Sequence, residues 1–145
     1  GLQTSTIDLA YNDGALAQNA TRAVQGTAVT PAILVISDGP TYDYGTQPVG
    51  SSTDYTFTIT NSGGIGSTAM TGSGLSSPFT FKGGSYPGTA GTCGATLAGG
   101  GTTCTIVVTY APSTVAVHND TIDITYNDGA GAQTSSRDFN SVAAL

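Results

Sequence analysis

Charge is what this sequence has least of. Only 8% of its residues are Asp, Glu, Lys or Arg, against about a quarter in an average globular protein. The basic side is thinnest: Arg22, Lys82 and Arg137 stand against nine acids, for a net charge of −6. Without a basic face to neutralise phosphates, nucleic acid is not expected as a partner, and neither is docking on anionic lipid. No apolar run approaches the roughly 20 residues of a membrane-spanning helix, so membrane insertion is not expected. No stretch is rich in Ala, Leu, Glu and Lys, so almost no helix is expected. His118 is the one histidine. Asp120 and Asp123 are near it, but there is no Gly-x-Ser-x-Gly elbow to supply a nucleophile, and no catalytic residue is assigned. Two thiols and one imidazole do not fill a tetrahedral metal site. No leader is visible: Gly1 begins in mid-pattern, so any leader is expected to be already removed or to lie upstream.

What is present favours strands. The 145 residues are enough for one ordinary domain with its own core. They include 21 Gly, seven Tyr and four Phe, with many Val and Ile of high strand preference. Ser and Thr crowd the positions where charge usually sits. Strict alternation recurs: Tyr55, Phe57 and Ile59 share one face of "TDYTFTIT", Ile106, Val108 and Tyr110 one face of "CTIVVTY", and Ile122, Ile124 and Tyr126 one face of "TIDITY". A period of two marks strands buried on one side. Between them lie "NSGG", "KGGSYPG", "AGGG" and "NDGAG", all turn chemistry. The pattern reads as a β-sandwich. Cys93 and Cys104 bound "CGATLAGGGTTC", whose glycines let the chain turn back. They are expected to form a disulfide, which stabilises by about 2–4 kcal/mol and places the protein in an oxidising compartment, extracellular or at the cell surface.

The chain also repeats itself. "TIDLAYNDGALAQNATR" (Thr6–Arg22) and "TIDITYNDGAGAQTSSR" (Thr121–Arg137) agree at eleven of seventeen positions, at an offset of 115 residues. Each reads as strand, Asn-Asp-Gly turn, strand, a hairpin signature. The division that follows is residues 1–29, a terminal hairpin equivalent to the end of a preceding repeat or a donor segment, and residues 30–145, one whole unit ending in its own copy. "TAVTPA" (Thr27–Ala32) is the connector.

The whole-unit stretch resembles the bacterial choice-of-anchor D repeats, immunoglobulin-like domains related to the ASH, Hydin and major-sperm-protein families. The resemblance lies in "YDYGTQPVGSSTDYTFTITNSG", "SPFTF", "CGATLAGGGTTCTIVVTYAP" and the closing "AVQGTAV", and spans most of residues 30–143. It implies a sandwich of about seven strands, strung in tandem in large secreted or surface-attached bacterial proteins, with structural or adhesive roles and no catalytic residues. The end departs from the pattern: "NSVAAL" has Ser141 where the first copy has Gly26.

An isolated hairpin is marginal in water, so Ile7, Leu9, Tyr11 and Val24 need a cover. The first hairpin can add to this chain's own sandwich, pack on a neighbouring chain, or complete a neighbouring sandwich by strand addition. Contact between subunits or repeats is therefore expected at Ile7, Leu9, Tyr11, Val24, Ile122, Ile124, Tyr126 and Phe139. Asp13, Asp38 and Asp128 are candidate calcium ligands, since calcium takes six to eight oxygens, although Asn-Asp-Gly is a turn in its own right and that reading is preferred. No other cofactor is expected. Arg137 is expected near Asp120 and Asp123, as an exposed ion pair or as a lock on the hairpin. Tyr86, in "KGGSYPG", is the candidate aromatic for a surface glycan. Asn19 and Asn119 sit in glycosylation sequons of the kind that chance supplies in so Thr-rich a chain.

The sequence thus reads as an all-β immunoglobulin-like sandwich with an additional N-terminal hairpin. The expected role is a non-catalytic structural module of an extracellular bacterial assembly. That module is either a filament subunit joined by hairpin complementation or a tandem repeat of a stalk or adhesin, its partners being copies of itself or neighbouring repeats. The alternative is a glycan- or ligand-binding module.

Overall fold

The computed structural model describes residues 1–145. The chain is all β and separates into two compact units, Gly1–Thr30 and Pro31–Leu145. The break falls inside the Thr27–Ala32 connector.

The first unit is a hairpin of β1 (Leu2–Asn12) and β2 (Ala17–Thr27). Its antiparallel register runs unbroken from Leu2 opposite Thr27 to Asn12 opposite Ala17. Every one of its residues is exposed.

The second unit holds β3 (Leu34–Ile36), β4 (Thr41–Pro48), β5 (Thr53–Asn61), β6 (Thr68–Ser73), β7 (Phe79–Phe81), β8 (Thr102–Tyr110), β9 (Ala116–Asn127) and β10 (Ala132–Ala144). They form two four-stranded sheets, β4-β10-β9-β6 and β3-β5-β8-β7. That is one strand more than the resemblance implies. The two shortest, β3 and β7, have three residues each, too few to display a period of two. All pairings are antiparallel except β4 with β10, which is parallel from Thr41–Asp138 to Pro48–Ala144.

The alternation seen in the sequence builds the core. Phe57 and Ile59 of β5, Ile106, Val108 and Tyr110 of β8, Ile122 and Ile124 of β9, and Phe139 of β10 are all buried in one cluster. Aromatic rings fill its centre: Phe57 stacks on Phe139 at 5.1 Å and Phe79 on Tyr110 at 4.8 Å, geometries that add to the burial of ring area. Val107, on the other face of β8, is buried too. The β7–β8 loop covers it, with Lys82 N–H donating to the Val107 carbonyl and Val107 N–H to the Pro87 carbonyl. The Cys93–Cys104 disulfide ties that loop to β8.

Asn61, at the end of β5, is fully buried and fully hydrogen-bonded. Its Oδ1 accepts from the Ile33 and Gly63 amides, and its Nδ2 donates to the Ile65 and Leu97 carbonyls. One side chain thereby joins the entry to β3, the β5–β6 turn and the β7–β8 loop. Ser141, where the first hairpin has Gly26, sits at an irregularity between Asn140 and Val142. Its hydroxyl donates to the Gly45 carbonyl at 2.8 Å, tying β10 to β4 where the register slips.

Candidate functional site

The two copies of the repeated segment fold alike. Ile7 faces Arg22, Leu9 faces Ala20 and Tyr11 faces Gln18. Ile122 faces Arg137, Ile124 faces Ser135 and Tyr126 faces Gln133, so the register is identical at the offset of 115 residues. The turns match atom for atom. Asp13 Oδ1 accepts the Ala15 and Leu16 amides at 2.9 and 2.8 Å, and Asp128 Oδ1 accepts those of Ala130 and Gly131 at 2.8 and 2.7 Å. Gln18 Nε2 and Gln133 Nε2 each donate to the second oxygen at 3.0 Å. Gly14 and Gly129 both take positive φ, near +97° and +95°, the conformation for which glycine is suited.

The copies differ in what covers them. Ile122, Ile124, Tyr126 and Phe139 are at most 7% exposed, whereas Ile7, Leu9, Tyr11 and Val24 are 41–63% exposed. In the second copy three further contacts hold the hairpin. The Tyr126 hydroxyl accepts the Leu34 amide at 3.2 Å. Phe139 packs against Phe57, Phe79 and Tyr44. The Arg137 guanidinium donates to three backbone carbonyls of the β3–β4 segment: Ser37 at 2.9 Å, Pro40 at 2.8 Å, and Ile36. Arg22 is exposed.

This places Arg137 away from the expected acidic partners. It faces Ile122 in the ladder, on the core side, while Asp123 faces Ser136 and accepts its hydroxyl at 2.6 Å. Asp120 is taken by the Ser76 amide at 2.7 Å. The lock on the hairpin is therefore made through neutral carbonyls, which also link it to the unit's first strand. The one ion pair is Lys82 with Asp54, at 2.8 Å on the surface. That contact holds the Asp54 carboxyl below its usual range, helped by the Thr109 hydroxyl.

The other candidate residues fall as follows. Asp13 and Asp128 spend their oxygens on their own turns. The Leu16 and Ala15 amides lower the one carboxyl, and the Ala130 and Gly131 amides lower the other. Asp38 accepts the Ser37 hydroxyl in a residue of positive φ. No group of three or more His, Cys, Asp or Glu side chains is gathered. Tyr86 is not a free ring: it is half-buried, edge-on to Phe81 at 5.8 Å, and its hydroxyl donates to the Gly94 carbonyl. The aromatics that do stack at the surface are Tyr42 and Tyr55, with centroids 3.9 Å apart. Alternation marks both as strand residues but does not say that they meet. His118 Nδ1 lies 2.9 Å from the Tyr110 hydroxyl, a hydrogen bond at the edge of the core.

Among solved structures, the fold is similar to the VesB protease of Vibrio cholerae, with a TM-score of 0.58 and 16% identity over 77% of this chain and 32% of that one. It is also similar to a protein of unknown function from Porphyromonas gingivalis W83, with a TM-score of 0.54 and 15% identity over 96% of this chain and 65% of that one. The chain thus spans about a third of the first and less than two thirds of the second. Comparison with curated protein sequences gives no match. Residues 32–137 match the model of the HYDIN/CFA65/VesB-like, Ig-like domain, and the chain belongs to that family of immunoglobulin-like domains.

Proposed function

We propose that this chain is a non-catalytic structural module of an extracellular bacterial assembly, in which immunoglobulin-like units follow one another at a spacing of 115 residues. The observation that carries the reading is the duplicated hairpin: identical register and turn, buried in one copy and bare in the other. An apolar sheet face of this kind marks an interaction site. The Cys93–Cys104 disulfide supports an oxidising compartment. His118, the one imidazole, is bonded to a core tyrosine, which supports a role without catalysis.

Of the two forms of assembly, the tandem array is the better supported. A filament of separate subunits needs an open place for the incoming hairpin. In Pro31–Leu145 that place, between β4 and β6, is already filled by β9 and β10. Mass spectrometry of the intact native polypeptide, with electron microscopy of the source material, tests this. The array predicts a polypeptide several times longer than one unit. Filaments assembled from chains of about this length would refute it.

A further inference from the structure

We propose that Gly1–Thr30 is the closing hairpin of a second immunoglobulin-like sandwich, and that its core-facing residues select a sandwich different from Pro31–Leu145. This rests on the reading above only in treating the hairpin as part of another unit. The occupant follows from the buried copy. There the hairpin lies between two strand edges, β10 parallel to β4 and β9 antiparallel to β6. Transferred by the common register, β2 requires a parallel neighbour and β1 an antiparallel one. Ile7, Leu9, Tyr11 and Val24 take the core places of Ile122, Ile124, Tyr126 and Phe139. The Tyr11 hydroxyl meets a backbone amide of the partner's first strand, as Tyr126 meets Leu34. Arg22 meets three carbonyls of the segment that follows that strand, as Arg137 does. A lone edge strand or a flat hydrophobic surface offers no such set; a sandwich of this family that lacks its last two strands does.

The copies differ where selectivity is decided. Phe139 fills the centre of its core against Phe57, Phe79 and Tyr44, and Val24 is far smaller. Ser141 bonds to the Gly45 carbonyl, and Gly26 has no hydroxyl. Seated in Pro31–Leu145, the first hairpin would leave a void among the rings, and such voids are costly. The acceptor's core is therefore fuller beneath Val24, and neighbouring units do not exchange hairpins.

The test places residues 31–115 directly ahead of the full chain, so that the strands forming the seat precede Gly1. Hydrogen exchange at the amides of β1 and β2 is then compared with that in the 145-residue chain. Three fusions are measured: one unchanged, a double variant carrying Val24→Phe and Gly26→Ser, and a triple variant that adds Arg22→Ala. The expected result is slower exchange in the fused chains. The gain is largest in the double variant, about 100-fold or more, and about tenfold smaller in the triple variant. Protection of β9 and β10 reports in each sample that the second unit is folded. Exchange in every fused chain as fast as in the 145-residue chain overturns the seat. Stronger protection in the unchanged fusion than in the double variant overturns the selectivity. The length of the native polypeptide is a separate matter. If that proves short while the seat holds, the acceptor sandwich belongs to a different polypeptide, since the seat in Pro31–Leu145 is filled by β9 and β10.

Discussion

Arg137 joins the last strand of its unit to the carbonyls of Ile36, Ser37 and Pro40 near the first. Hydrogen bonds to a charged donor contribute about 1.5–3 kcal/mol, so Arg137→Ala should lower stability by about that amount, read as the midpoint of urea unfolding. Arg22→Ala in the same chain should change the midpoint by less than about 0.5 kcal/mol equivalent. Equal effects would remove the distinction between the two hairpins. Gly39 gives the guanidinium its room: a Cβ there would collide with Nη1, so Gly39→Ala should displace Arg137 and reproduce much of its loss. The importance of Arg137 was legible because the residue recurs at the same place in the repeat. Its partners were not. The fold-back of the hairpin suggested Asp120 and Asp123, on the facing strand, whereas the register puts Arg137 on the core side, facing a loop about a hundred residues away. Asn61 was legible only as a family residue. Its four hydrogen bonds link segments that alternation says nothing about. Asn61→Ala should cost at least about 1–3 kcal/mol, the penalty for orphaning even one buried polar group.

At the scale of the element, one hairpin occurs in two environments, which makes a controlled comparison. Ile124→Ala removes buried volume and should cost about 2–5 kcal/mol. Leu9→Ala, at the equivalent place, should leave the midpoint of the 145-residue chain within about 0.5 kcal/mol. A large loss at Leu9 would mean that its exposed face is covered in solution. The turn adds a dependence on pH. The Ala130 and Gly131 amides hold the Asp128 carboxyl below the ordinary aspartate value of 3.8. Its stabilisation is therefore complete above that value and is lost as pH falls through the lower value of the folded state. Asp128→Asn should flatten the acid side of the stability profile, measured by urea midpoints at descending pH; an unchanged slope would separate the turn from the acid response. The hairpins were legible because two signals agree, alternation in the strand before the turn and Asn-Asp-Gly in the turn itself, and because the pair recurs at an offset of 115 residues. The short strands β3 and β7 were not, since their place is set by pairing with β5 and β8 rather than by any local pattern.

Over the whole unit the consequential feature is the parallel pairing of β4 with β10, which no sequence pattern announces: alternation tells which residues face inward, not which distant strands meet. The chain enters the unit at Pro31, and β4 is reached from its Thr41 end. It leaves through Ala144 at the far end of β10. Because Thr41 lies opposite Asp138 and Pro48 opposite Ala144, tension between the two termini, once the three-residue β3 has come off β5, pulls the paired strands past each other along their length. The ladder bonds are then loaded together, whereas pulling both strands from the same end would break them one after another. Arg137 lies beside the start of this ladder and bonds across it to the carbonyls just before β4, so it shares the load. Forced unfolding reports the barrier rather than the equilibrium, which separates this effect from ordinary stability. With handles at residues 31 and 145, single-molecule stretching should need a markedly higher force than with handles at residue 31 and in the turn at Gly131, next to the opposite end of β10. Arg137→Ala should lower the first force more than the second. The same force in both geometries would mean that the parallel pair bears no special load, and that an array of such units resists tension only through its overall stability.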